Sequence, residues 1–216
     1  MKSDWIDISV PVSKETPVWP GDPSPQLTTL FSQENGDDYR LSELRFGLHT
    51  GTHIDAPLHF IREGKDVAAL ELWRMVGEVQ VVDATAVQSI TAAYLETLPI
   101  GSANRLLFKT FSGSEPRSMA ARRQPFRALD NSAAEWLAKR GIVLCGIDGM
   151  TIAIEEELSA VHRILLEKEI VIVENLFLEQ LTAGLYEMMA LPVLIPGAEA
   201  APARVLIKKS RSYDRD

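Results

Sequence analysis

The segment His49-Thr-Gly-Thr-His-Ile-Asp-Ala-Pro-Leu-His-Phe60 constrains the fold more than any other part of the chain. It holds three of the four histidines, His49, His53 and His59, together with Asp55. These residues, with Gly51 and Pro57, all occupy odd positions, so an extended backbone presents them on one face. A flat strand still cannot bring them together, because at about 3.3 Å per residue His49 and His53 would stand about 13 Å apart. A regular helix would close that gap, but Thr50-Gly51-Thr52 disfavours helix and Pro57 interrupts it. The backbone is therefore expected to bend, as a kinked strand or a loop. Gly51 permits the bend and removes a side chain from its inner side.

Imidazole nitrogens and carboxylate oxygens are the usual ligands of catalytic zinc, and such sites keep a coordination position open for water or substrate. The cluster thus points to a divalent ion held by His49, His53 and Asp55. The competing reading, scattered histidines with Asp55 capping a turn, leaves the clustering unexplained. The fourth histidine, His162, falls in a predicted helix from Glu155 to about Lys168, where it is either a half-buried helix residue or a ligand. Glu174 ends the run Ile170-Val-Ile-Val173. A carboxylate where burial would otherwise be favoured implies a partner such as a cation.

With 216 residues and 46% hydrophobic content, the chain has enough apolar side chains for the core of one domain. Residues 1–216 are read as that domain, with 210–216 a frayed tail. The net charge of −8 argues against nucleic acid or an anionic membrane as partner, with Arg122-Arg123 a local exception. The one cysteine, Cys145, lies in the apolar run Ile142–Asp148; an internal disulfide cannot form, a reducing compartment is implied, and a buried strand position suits it. The first residues lack the apolar core of a secretory signal and no apolar run is long enough to span a bilayer, so a soluble, cytoplasmic protein is expected.

Short β-branched runs predict strands at Val79–Asp83, Arg105–Lys109, Ile142–Cys145, Ile170–Val173, Leu191–Ile195 and Ala203–Lys208. Between them, helices are predicted at Thr91–Leu98, Asn131–Arg140 and Glu155–Lys168, the second capped by Asn131 or Ser132 and closed by Gly141. This alternation makes the chain α/β, with extra antiparallel strands and turns in its Gly/Pro-rich first quarter. Gly113 to Gln124 is the expected mobile loop.

These motifs resemble those of the cyclase-like metal hydrolases that include bacterial kynurenine formamidase and isatin hydrolase. The resemblance covers most of the chain: Asp7-Ile-Ser9, Thr16-Pro-Val-Trp-Pro-Gly-Asp22, the His49–Phe60 segment, Gly146-Ile-Asp148, and His162 with Glu174. It implies a compact α/β fold with a mixed, barrel-like sheet and flanking helices, assembled as dimers or tetramers. It also implies that His49, His53 and Asp55 bind a first metal, that Asp55 bridges to a second held by His162 and Glu174, and that His59 serves in acid–base catalysis. Formamidases of this group carry Thr-Pro-Ser after Gly-Ile-Asp and a second histidine beside the ligand histidine. This chain has Gly149-Met-Thr151 and Arg163 there, which bears on the substrate more than on the chemistry.

The expected reaction is attack of ion-activated water on the carbonyl of a small amide, an arylformamide such as N-formylkynurenine or a cyclic amide such as isatin. His59 is the uncommitted histidine and suits proton transfer, the alternatives being support behind the ligands or a third ligand. Asp148 either orients a ligand or caps a strand end, and Arg163 either meets a substrate carboxylate or is an exposed helix residue. Trp19, among Pro17, Pro20 and Gly21, either stacks on an aromatic substrate at a pocket mouth or packs under a loop, and Phe60 is read as core. Two other functions stay open: a lyase or cyclase that stabilises an enolate, and a non-catalytic domain stapled by its ion. The donor set suits zinc or manganese, as one ion or two.

Overall fold

The computed structural model describes residues 4–111 and 127–210, so the expected loop at 113–124, Arg122-Arg123 and the end of the chain from 211 lie outside the described residues. Among the described residues there are ten strands: β1 Ile6–Asp7, β2 Gln26–Phe31, β3 Leu41–Arg45, β4 His53–Asp55, β5 Val76–Asp83, β6 Arg105–Lys109, β7 Leu144–Ile147, β8 Val171–Glu174, β9 Gly184–Pro192 and β10 Ala200–Lys209. Three α-helices accompany them: α1 Ala92–Glu96, α2 Asn131–Lys139 and α3 Leu158–Leu166.

Seven strands close on themselves in the order β10-β4-β8-β7-β6-β5-β9, with β9 returning to β10 and β1 added beside β10. The run β5-β6-β7-β8 is parallel and the other pairings are antiparallel, so the sheet is a mixed barrel. Alternation along each strand sorts its residues between two cores. Val79, Val81, Leu107, Leu144, Val173, Met188 and Val205 fill the inside. Val82, Leu106, Phe108, Cys145 and Ile172 face outward, against Ala133, Ala134 and Leu137 of α2 and Val161, Leu165 and Leu166 of α3. Burial on both faces is the reason the parallel strands read as continuous apolar runs. Ile54 of β4 belongs to the inner core, which turns its neighbours His53 and Asp55 to the outer face, beneath the helix layer.

Most predicted elements are present, with corrections at their ends. Asp130, not Asn131 or Ser132, caps α2 by accepting the Ala133 amide at 2.9 Å, while Gly141 closes the helix with φ 72°. The predicted helix at 155–168 opens with a 3₁₀ turn, Glu155–Glu157, before α3. The predicted strand Leu191–Ile195 overlaps β9 only at Leu191 and Pro192. The rest of β9 escaped notice because Glu187, Met188, Met189 and Ala190 are good helix formers, although Tyr186, Met188 and Ala190 alternate inward as a strand requires. The Ser210 amide bonds to Leu185 O at 3.2 Å.

Gly64 sets a close backbone approach. A Cβ there would lie 2.6 Å from the Pro57 carbonyl carbon and 2.7 Å from Leu58 N, in the 3₁₀ turn Pro57–His59. Gly64→Ala is expected to cost about 1–3 kcal/mol by overpacking, read as a lower urea midpoint at unchanged slope. Gly101→Ala, whose Cβ would meet only Gln80 Oε1 at 3.9 Å, should stay within about 0.5 kcal/mol of wild type.

Candidate metal centre

The bend expected at Gly51 is present, with φ at 66°. Beside it the chain is stitched to the N-terminal segment: Thr52 Oγ1 accepts the Val10 amide at 2.7 Å and donates to the Asn175 carbonyl at 2.5 Å. The His49 and His53 rings consequently stand 4.9 Å apart, edge to face. Asp55 Oδ1 lies 3.1 Å from His49 Nδ1 and 3.4 Å from His53 Nε2. Register pairing then sets His53 directly opposite Glu174 on β8, with Nε2 3.4 Å from Glu174 Oε2. From the helix layer, α3 lowers His162, whose Nε2 is 3.4 Å from Glu174 Oε1 and 3.9 Å from Asp55 Oδ2.

Five of the residues singled out from sequence, His49, His53, Asp55, His162 and Glu174, therefore converge on one point. His59 is adjacent, its ring 4.3 Å from that of His49 and 5.9 Å from that of His162. Ligand atoms of His53, Asp55 and Glu174 lie within 4.8 Å of one another, as do those of His49, Asp55 and His59.

Burial makes this arrangement costly unless it is answered by charge. Asp55 and His53 are fully buried, yet both Asp55 oxygens and His53 Nε2 have no hydrogen-bond partner with good geometry. They are near neighbours aimed at a common point rather than at each other, and a divalent cation at that point fits donors of these types. Desolvation opposes a charged His53, but the nearby carboxylates of Asp55 and Glu174 outweigh it and push the ring up to about 10. Burial likewise opposes a charged His49 and His162, and the same carboxylates still raise both. Burial would raise the Asp55 and Glu174 carboxyls, but the surrounding imidazoles hold both below the usual carboxylate range. For His59 burial prevails and lowers its pKa, which favours the neutral ring. Cys145, buried beneath, has its thiol pushed up by burial and by the two carboxylates, and stays inert.

The cluster opens on a cavity of about 250 Å³ whose walls include Trp19, His59, Phe60, Met150, Thr151 and Leu158. Trp19 packs with Met150 and Phe111 at its rim. Phe60 is not simply core: it lines the cavity and stacks on His162, centroids 4.6 Å apart. Asp148 is a buried strand-end anchor, accepting the amides of Thr110 at 2.9 Å and Phe111 at 3.2 Å. Arg163 is an exposed helix residue that donates to the Phe60 carbonyl at 2.7 Å. Sequence reasoning missed two features: the Ile152 amide, which donates to Glu174 Oε1 at 2.7 Å, and Glu199, whose Oε1 is 3.6 Å from His49 Nε2. The signal for Glu199 was a lone carboxylate immediately before an apolar strand. A larger groove of about 570 Å³ lies along β1 and β10, but its charged residues, Asp7 and Arg204, pair with each other.

A family model described as putative cyclase matches residues 6–153. The kynurenine formamidase of Bacillus mycoides is 33% identical over 207 residues, covering 95% of this chain and 98% of that protein. A predicted metal-dependent hydrolase from Bacillus stearothermophilus is 31% identical and superposes with a TM-score of 0.76, over 94% of this chain and 97% of its own. Isatin hydrolase A from Ralstonia solanacearum, 22% identical with a TM-score of 0.77 over 94% and 90% of the two chains, shares the fold. With these relatives the class is that of a hydrolase, and the buried imidazole–carboxylate set is one that could hold a metal ion. More particularly, the chain belongs to the cyclase family.

The raised pKa of His53 gives a stability signature in metal-free protein. A group raised in the fold stabilises fully below its unfolded value, about 6.5, and that contribution disappears as pH rises through about 10. The stability difference between wild type and His53→Leu, from urea unfolding after chelation, is expected to shrink between pH 7 and pH 10.5. A difference that stays constant or grows would contradict the His53 pairing.

Proposed function

We propose that this chain hydrolyses the C–N bond of a small aryl amide, an N-formyl arylamine such as N-formylkynurenine, with a cyclic amide such as isatin as the second candidate. The observation that carries the reading is the set of unsatisfied buried atoms, His53 Nε2 with Asp55 Oδ1 and Oδ2, beside His49, His162 and Glu174, which line a cavity together with His59 and Trp19. His49, His53 and Asp55 hold one divalent ion, zinc before manganese. His162 and Glu174, with Asp55, would hold a further ion, a role favoured by the two Asp55 oxygens facing different histidines. Such an ion lowers the pKa of water from 15.7 to about 7 and polarises a carbonyl.

The remaining steps fall to the chain's own residues. Neutral His59 accepts a proton from the attacking water as its oxygen bonds to the formyl carbon, then returns that proton to the departing nitrogen as the C–N bond breaks. Formate leaves carrying the water's oxygen, and the free arylamine follows. Trp19 and Phe60 give the cavity an aromatic wall suited to the aryl group.

Chelation is expected to abolish hydrolysis of N-formylkynurenine, and added zinc or manganese to restore it, with label from ¹⁸O-water appearing in formate. His53→Ala should lose both ion and activity. His59→Ala should retain the ion while kcat falls about 10²- to 10⁴-fold; loss of the ion instead would make His59 a ligand. Hydrolysis that survives complete removal of metal would sink the proposal.

We infer also that copies of the chain associate as dimers or tetramers. The ribbon β2–β3 exposes Leu27, Leu30, Phe31, Leu41 and Leu44, and an isolated two-stranded ribbon is marginal alone. Leu27 and Leu44 are cross-strand partners. Lysine at both should give monomers in light scattering where wild type gives dimers or larger; monomeric wild type at micromolar concentration would refute the association.

A further inference from the structure

Each histidine of the cluster has two ring nitrogens, and the structure assigns them different neighbours. His53 turns Nδ1 to the Gly51 carbonyl at 2.9 Å and Nε2 into the cluster. His162 does the same, with Nδ1 on the Leu158 carbonyl at 2.7 Å and Nε2 facing Glu174. A carbonyl oxygen only accepts, so both rings carry a proton on Nδ1, and as neutral ligands they would present the Nε2 lone pair to the centre. His49 is reversed: Nδ1 faces Asp55, and Nε2 points outward, 3.6 Å from Glu199 Oε1.

We propose that Glu199 is a positioning residue for His49, its carboxylate receiving the Nε2 proton so that the Nδ1 lone pair is directed at the metal. The proposal rests on the reading of His49 as a ligand. It completes a pattern in which every inward nitrogen is set by an acceptor on the opposite side of its ring, a carbonyl for His53 and His162 and a carboxylate for His49. Carboxylate–histidine–metal arrangements of this kind orient the ring and raise its basicity.

The fold places Glu199 for this task. It precedes Ala200, the register partner of Asp55, and its own carbonyl accepts the Ala56 amide at 2.9 Å. Backbone pairing therefore holds its Cα beside the ligand strand, while the side chain, 40% exposed, reaches toward His49. The 3.6 Å separation exceeds a direct hydrogen bond. With a cation held by His49, Nε2–H would be a stronger donor toward the Glu199 carboxylate.

The test uses zinc as probe. Metal-depleted wild type, Glu199→Ala and Glu199→Gln are titrated with zinc against a chromophoric chelator, and the His49 ring nitrogens of zinc-loaded wild type are followed by ¹⁵N NMR. Glu199→Ala is expected to weaken zinc binding about 10- to 100-fold, and Glu199→Gln to recover part of that loss, because its amide oxygen accepts the same proton. The NMR spectrum should show His49 protonated on Nε2. Equal zinc affinity in wild type and Glu199→Ala overturns the proposal, as does a His49 proton on Nδ1, which needs no variant to detect. Wild type that takes up no zinc overturns the metal reading itself and the inference with it. Equal urea midpoints of the three metal-free proteins exclude a folding defect, since the Glu199 backbone contact survives both substitutions.

Discussion

Two carboxylates, Asp55 and Glu174, are buried together beneath a helix layer, and much of the molecule is arranged to keep them ionised there. Removing one ion from water costs several kcal/mol even after a protein relaxes around it. That is comparable with a sizeable part of a domain's whole stability, so each carboxylate must be answered locally. His49 and His53 come from the bent segment, His162 from α3, and the Ile152 amide from the loop after β7. Elements far apart in sequence are thereby held to one point. The cluster ties the barrel to the helices as the hydrophobic contacts around it do, but with directional contacts that fix orientation as well as distance.

The barrel makes this possible through the alternation of its strands. Ile54 and Val173 point inward and are packed among aliphatic side chains, so the flanking His53, Asp55 and Glu174 emerge on the same outer face. A one-residue slip of β4 against β8 would exchange these roles, driving an imidazole and a carboxylate into the inner core. Register is thus specified twice, by the apolar residues that must be inside and by the charged ones that must not be.

Much of this was legible beforehand where it depended on local chemistry. The separation of His49 from His53 demanded a bend, Gly51 was the residue able to supply it, and the structure places it there in a left-handed conformation. The parallel strands were legible because two-sided burial writes them as unbroken apolar runs. β9 was not, because its inward residues include Met188 and Ala190, which favour helix, and only pairing with β5 and β10 makes them strand. Asp130 displaced Asn131 as the cap of α2 because all three neighbouring side chains are competent and the backbone decides among them. Glu199 was silent for a different reason: its meaning lies in its neighbour His49, brought near by the pairing of β10 with β4. Phe60 read as core because an aromatic beside a histidine gives no hint that it will stack on another histidine from α3.

Strand β4 is three residues long, and it closes the barrel by joining β10 to β8. The residues that seal the cylinder are thus the residues that carry the cluster, whereas Trp19, Met150 and Leu158, which shape the cavity, lie outside the barrel strands. Reactive groups and selective groups therefore inherit different tolerances to change. A lineage could exchange its cavity walls repeatedly, acquiring new preferences among small molecules, while closure of the cylinder holds the chemistry beneath them constant.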